Sequence, residues 1–98
     1  MKYDTEKTVE IPFRGETFIV ELRMVSLRER SELIDDEGKL DVAKYYEANV
    51  VSITGPDVNG KAIETLGDVY DTPGMDEVYH AIIKAVNDWD LTEDEVKN

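Results

Sequence analysis

Residues 73–89, PGMDEVYHAIIKAVNDW, decide the fold. Met75, Val78, Tyr79, Ile82, Ile83, Val86 and Trp89 recur at spacings of three and four, which places them on one face of a helix. A face that apolar must be covered by the rest of the chain. Thr72 is positioned to cap the helix, and Pro73 suits its first turn, where a missing N–H costs nothing. Asp76 and Glu77 place negative charge at the positive end of the helix dipole.

The partner for that face lies at the other end of the chain. Between Thr8 and Val25 the apolar period is two: Val9, Ile11 and Phe13, then Phe18, Val20, Leu22 and Met24 after Arg14-Gly15. This predicts a hairpin whose turn uses Gly15 for a positive φ, and whose first strand is an edge because Pro12 has no N–H to donate. Ser26-Leu27-Arg28-Glu29 has the capping-box spacing, so a helix is expected from there to Leu33-Ile34, stopped by Asp35-Asp36-Glu37-Gly38.

Asp41 is the expected cap of a second helix through Val42, Tyr45, Tyr46 and Asn49-Val50 to Ile53. Its β-branched end, Val50, Val51, Ile53 and Thr54, also suits an extended segment. Asn59-Gly60 reads as a turn, and residues 62–70 as a short helix presenting Ile63, Leu66 and Tyr70. The fold class expected is α+β: an N-terminal antiparallel β-hairpin followed by a bundle of three to four helices. Phe18, Val20, Leu22, Val50, Ile82, Val86 and Trp89 are expected in or near the core. Nothing in the pattern points firmly to a third strand, so the hairpin is expected to keep an open edge and to self-associate through it.

Ninety-eight residues suit a single domain, 1–98, with residues 1–7 and 91–98 the candidates for fraying. A hydrophobic share of 41% interrupted by 35% charged residues fits a folded chain with no membrane span. MKYDTEKTVEI lacks the apolar run of a secretory signal, so a cytoplasmic location is expected. The absence of cysteine excludes disulfides, thiolate metal sites and cysteine nucleophiles. A net charge of −12 argues against nucleic acid as a partner, because that affinity comes from cations on phosphates.

No catalytic, cofactor-binding or metal-ligating residue is nominated. Asp57-Val58-Asn59-Gly60 begins like a calcium loop, but its glycine comes too early and the closing glutamate is misplaced. Asp88, Asp90, Thr92 and Glu95 alternate oxygens without the glycine, which fits a solvated acidic terminus. His80 is the single histidine, with only Glu77 and Lys84 at helical spacing, and reads as a surface or half-buried side chain. Trp89 closes the apolar stripe and reads as a packing residue.

The order of elements resembles a family. A hairpin of the form VEIPFRGETFIVELRMVSLRERSEL, a helix containing DVAKYYEANVVSIT, a turn with NGK and the segment ETLGDVYDTPGMDEVYHAIIKAV resemble the small tail assembly chaperones of long-tailed bacteriophages and prophages. The resemblance spans about residues 8–90 and is one of layout, carried by Arg23 to Arg30, the segment after Asn59-Gly60, and Thr72-Pro73-Gly74-Met75. It implies a non-enzymatic protein of the host cytoplasm that binds tape-measure and tail-tube proteins during assembly, self-associates, and transfers no site residues. The alternative is an acidic DNA mimic inhibiting a nucleic-acid-binding protein, which requires a continuous acidic face.

Overall fold

The computed structural model describes residues 5–96, with side chains described up to Trp89. Alternation of apolar and polar residues builds β1 (Glu6–Phe13) and β2 (Glu16–Arg23) into an antiparallel pair, with Ile11 opposite Phe18 and Val9 opposite Val20. The turn between them takes Arg14 at φ 49° and Gly15 at φ 82°. Two successive positive φ values give a turn whose twist matches that of the strands, at a steric cost for Arg14 that Gly15 does not bear. Pro12 does lie on an edge strand, because the sheet order is β1-β2-β3.

The third strand corrects the expectation that the hairpin stands alone. α1 (Leu27–Glu32) and α2 (Val42–Asn49) follow β2, and the chain then passes directly into β3 (Val50–Thr54), antiparallel to β2. The second helix therefore stops at Asn49, short of Ile53. Branching at Cβ disfavours the helix and suits a pleated strand, and the vacant side of β2 supplies the ladder. The register slips between Glu21 and Leu22, and Val51 is left exposed at this bulge. Ile53 N–H donates to Glu64 C=O at 3.1 Å, so the far side of β3 is partly occupied by the returning chain. Among the described residues the outer side of β1 pairs with no strand.

Local signals place the remaining elements. Ser26 and Glu29 form the expected capping box, and Asp41 accepts the Lys44 N–H at 3.1 Å. Asn59 (φ 53°) and Gly60 (φ 80°) form a tight turn closed by hydrogen bonds between Val58 and Lys61. α3 (Leu66–Asp71) starts later than expected, behind a second capping box of Thr65 and Asp68. As a result Ile63 lies ahead of the helix, still buried, while Leu66 and Val69 form the buried side of α3 and Tyr70 faces solvent.

α4 (Asp76–Val96) also starts later than expected. Thr72 closes α3, with its hydroxyl donating to Asp68 C=O at 2.6 Å, so it does not cap α4. Pro73 and Gly74 belong to the connecting turn, where Gly74 takes φ 88°. Of the stretches expected to fray, residues 6–7 belong to β1 and 91–96 to α4; residues 1–4 and 97–98 lie outside the described residues.

The apolar face of α4 is the one the spacing predicts. Val78, Ile82, Val86 and Trp89 of α4, and Met75 just before it, are buried, with Tyr79 at the margin of the cluster; Ile83, expected on the same face, is half-buried and lies outside the cluster. The buried residues pack over β1 and its neighbours with Ile11, Phe18, Val20, Leu22 and Ile53. α2 lies over β2 and β3, and α2, α3 and α4 contact one another. Each fully buried aliphatic or aromatic side chain contributes roughly 1.5–3 kcal/mol relative to exposure. Val50 is half-buried against this core, not within it. The molecule is 17 Å thick across its shortest axis, one sheet and one layer of helices. The opposite sheet face stays open, with Ile19 partly exposed and Ser52 Oγ donating to Glu21 at 3.2 Å. No helix among the described residues is long and apolar enough to cross a membrane.

Candidate interaction surface

Arg23, Glu29 and Asp68 are shifted from their ordinary ranges, each by a structural contact. Arg23 donates two hydrogen bonds to Glu29, at 3.0 and 2.7 Å, tying β2 to α1. That bidentate pair, with help from the Ser26 N–H, holds the Glu29 carboxyl at about 2 and pushes the Arg23 guanidinium up. Asp68 is held below the usual carboxylate range by the backbone N–H groups of Glu64 and Thr65, with Lys61 adding attraction at 3.9 Å. These shifts belong to two capping boxes, not to a cleft.

The sequence-singled residues do not converge. His80 is exposed, with its ring 5.8 Å from that of Tyr79. Asp57 stays at the Asn59-Gly60 turn, and Asp88 pairs with Lys84 at 2.6 Å. The side chains of Asp90, Thr92 and Glu95 lie outside the described residues. No group of three or more His, Asp or Glu among the described residues is arranged to hold a metal ion. Trp89 is buried, and Lys7 lies 6.0 Å over its ring.

Three surface features remain. The first is an arm. From Ser26 to Lys44 no side chain is buried, although Leu27, Ile34 and Val42 are large and apolar, and Leu27 is 82% exposed. The arm is held by polar contacts: the Arg23–Glu29 pair, and Arg30, which donates to the Tyr45 hydroxyl at 3.1 Å and covers its ring. The second is a hollow of about 430 Å³ at the hairpin tip, between Phe13-Arg14 and Gly74, Asp76 and Glu77.

The third is an aromatic face where α2, α3 and α4 meet. Tyr70 is 71% exposed, with its ring 5.6 Å from that of Tyr79 at an interplanar angle of 63°. Both rings line a hollow of about 220 Å³ that includes Asp76 and His80, and another of about 140 Å³ that includes Ala43, Glu47 and Leu66. Sequence reading put Tyr70 on the apolar side of its helix and missed this face. The missed signal is the Thr65-Leu66-Gly67-Asp68 capping box, which sets the rotation of α3.

Comparison with known proteins gives no match: no protein-family model, no curated protein and no solved structure is similar to this chain.

Proposed function

We propose that the protein is a non-enzymatic tail assembly chaperone of a long-tailed bacteriophage or prophage, acting in the host cytoplasm on tape-measure and tail-tube proteins. The observation that carries this reading is the arm at 26–44. It offers Leu27, Ile34 and Val42 to solvent without burying a side chain, on a subunit whose net charge is −12. Exposed apolar surface on a small domain marks an interaction site, while strong like charge keeps the free subunit soluble and lets it leave. An apolar arm suits a client that must be shielded for a time and then released.

The acidic-mimic alternative is less well supported, since every arginine of the chain, Arg14, Arg23, Arg28 and Arg30, lies along the hairpin tip, β2 and α1. Those cations interrupt the continuous negative face such a mimic requires. Co-expression with a tape-measure protein that is insoluble alone tests the proposal. The chaperone reading expects the client to become soluble and to co-purify with the chain, and Leu27→Asp with Val42→Asp to abolish both effects. A client that stays insoluble, or one rescued equally well by the double variant, would overturn it.

A further inference from the structure

We propose that the Tyr70–Tyr79 face docks a partner peptide that inserts an arginine side chain between the exposed Tyr70 ring and the Glu47 carboxylate. This site stands apart from the arm and does not depend on the assembly-chaperone reading. Two independent observations carry it. Tyr70 gives a large π surface to solvent, held in place edge-to-face against Tyr79, with a hollow on either side. Glu47 lies in the last turn of α2, which is the negative end of the helix dipole and contains no basic residue.

The position of that carboxylate is defined: its Oε1 is 3.8 Å from the point where a Cβ on Gly67 would sit, against the start of α3 and beside the hollow Tyr70 lines. A carboxylate at the wrong end of a helix gains from a cation brought by another molecule. Asp76 borders the second hollow, so both ends of the face are negative. Arginine fits better than lysine, because a planar, weakly hydrated guanidinium stacks on an aromatic ring and presents a fork to a carboxylate. Leu66 and Ala43, which line the same hollow, favour an apolar residue next to that arginine. The matching ligand is a short basic and apolar peptide segment.

The test uses the intact chain and a blocked helical peptide bearing one arginine flanked by leucines, with citrulline in place of arginine as the neutral control. Amide chemical shifts of the ¹⁵N-labelled protein are followed during titration at low salt. The proposal expects shifts confined to the ends of α2, α3 and α4 around Glu47, Tyr70 and Tyr79, and binding at least fivefold weaker for the citrulline peptide. Tyr70→Ala and Glu47→Gln should each weaken binding about fivefold, equivalent to ~1 kcal/mol, as expected for an exposed cation–π or charge-assisted contact. Tyr70 is exposed and Glu47 is exposed, so both variants should keep the wild-type fold and melting temperature. Equal binding of the citrulline peptide, shifts spread over the acidic surface, or no effect of either substitution would overturn the assignment. So would concentration-dependent shifts of the same amides without peptide, since a second copy would then be the occupant.

Discussion

Gly55 directly follows β3 and sits against the ring of Phe18, a side chain with no solvent exposure. A methyl group at position 55 would lie 2.5 Å from Phe18 Cδ1 and 3.1 Å from Cγ and Cε1. Ordinary carbon contacts begin near 3.5 Å, so the ring would have to retreat by about 1 Å. It has little room to do so: the Phe13 ring lies tilted against it at 5.6 Å, and Val20 and Ile53 are buried in the same cluster. Overpacking of this kind costs roughly 1–3 kcal/mol. For a domain of this size that corresponds to a melting temperature lower by about 4–8 °C per kcal/mol. The same substitution at Gly67 provides the control, because its added methyl would meet only Thr65 Oγ1 at 3.6 Å and Glu47 Oε1 at 3.8 Å, inside α3. There alanine should stabilise by roughly 0.5–1 kcal/mol through helix propensity. Thermal and urea unfolding of Gly55→Ala, Gly67→Ala, Phe18→Leu and the Gly55→Ala/Phe18→Leu pair measure the coupling directly. The smaller side chain should absorb part of the Gly55→Ala penalty. A Gly55→Ala protein as stable as wild type, or strictly additive losses in the double variant, would refute the close approach of β3 to Phe18.

Ile82→Asp should unfold the domain, since it places an unpaired charge at a fully buried position of α4, whereas His80→Ala at an exposed position of the same helix should change the melting temperature little; comparable losses would mean the helix is rotated. Arg14→Asn should stabilise by up to roughly 1 kcal/mol, because asparagine tolerates the positive φ of the hairpin turn better than arginine, and a lower urea midpoint would contradict it. Glu29 has a carboxyl lowered to about 2 when folded, so its contribution is present above its ordinary unfolded range near 4.5 and is lost as pH falls towards 2. The stability gap between wild type and Glu29→Gln should therefore close between about pH 5 and pH 2; a gap that is constant with pH would count against the Arg23 pair. The outer side of β1 and the apolar arm predict reversible self-association that strengthens with salt as the −12 charge is screened, and light scattering showing a strict monomer at every concentration and ionic strength would argue against both surfaces as contacts.

Much of this architecture is written in short-range chemistry. The period-two run up to Val25, the Ser26–Glu29 capping box, the Asp41 cap, the Asn59-Gly60 turn and the stripe from Met75 to Trp89 each act within a few residues, so the chain specifies them before any tertiary contact forms. Val50 to Thr54 is different. Its branched residues follow a helix without a break, and the unpaired side of β2 makes it a strand, a partner some thirty residues away that periodicity does not encode. Thr72 likewise has the chemistry of a cap for α4 but is drawn into α3 by its bond to Asp68. The candidate sites were the least legible, because a surface feature depends on which side chains the packed core leaves outside. Whether Tyr70 is inward or outward depends on the starting residue of α3, and the exposure of Leu27 depends on α1 lying off the sheet. Local residue chemistry determined the elements and the core face of the longest helix; tertiary packing decided the third strand, the rotation of α3 and the surface left to meet a partner.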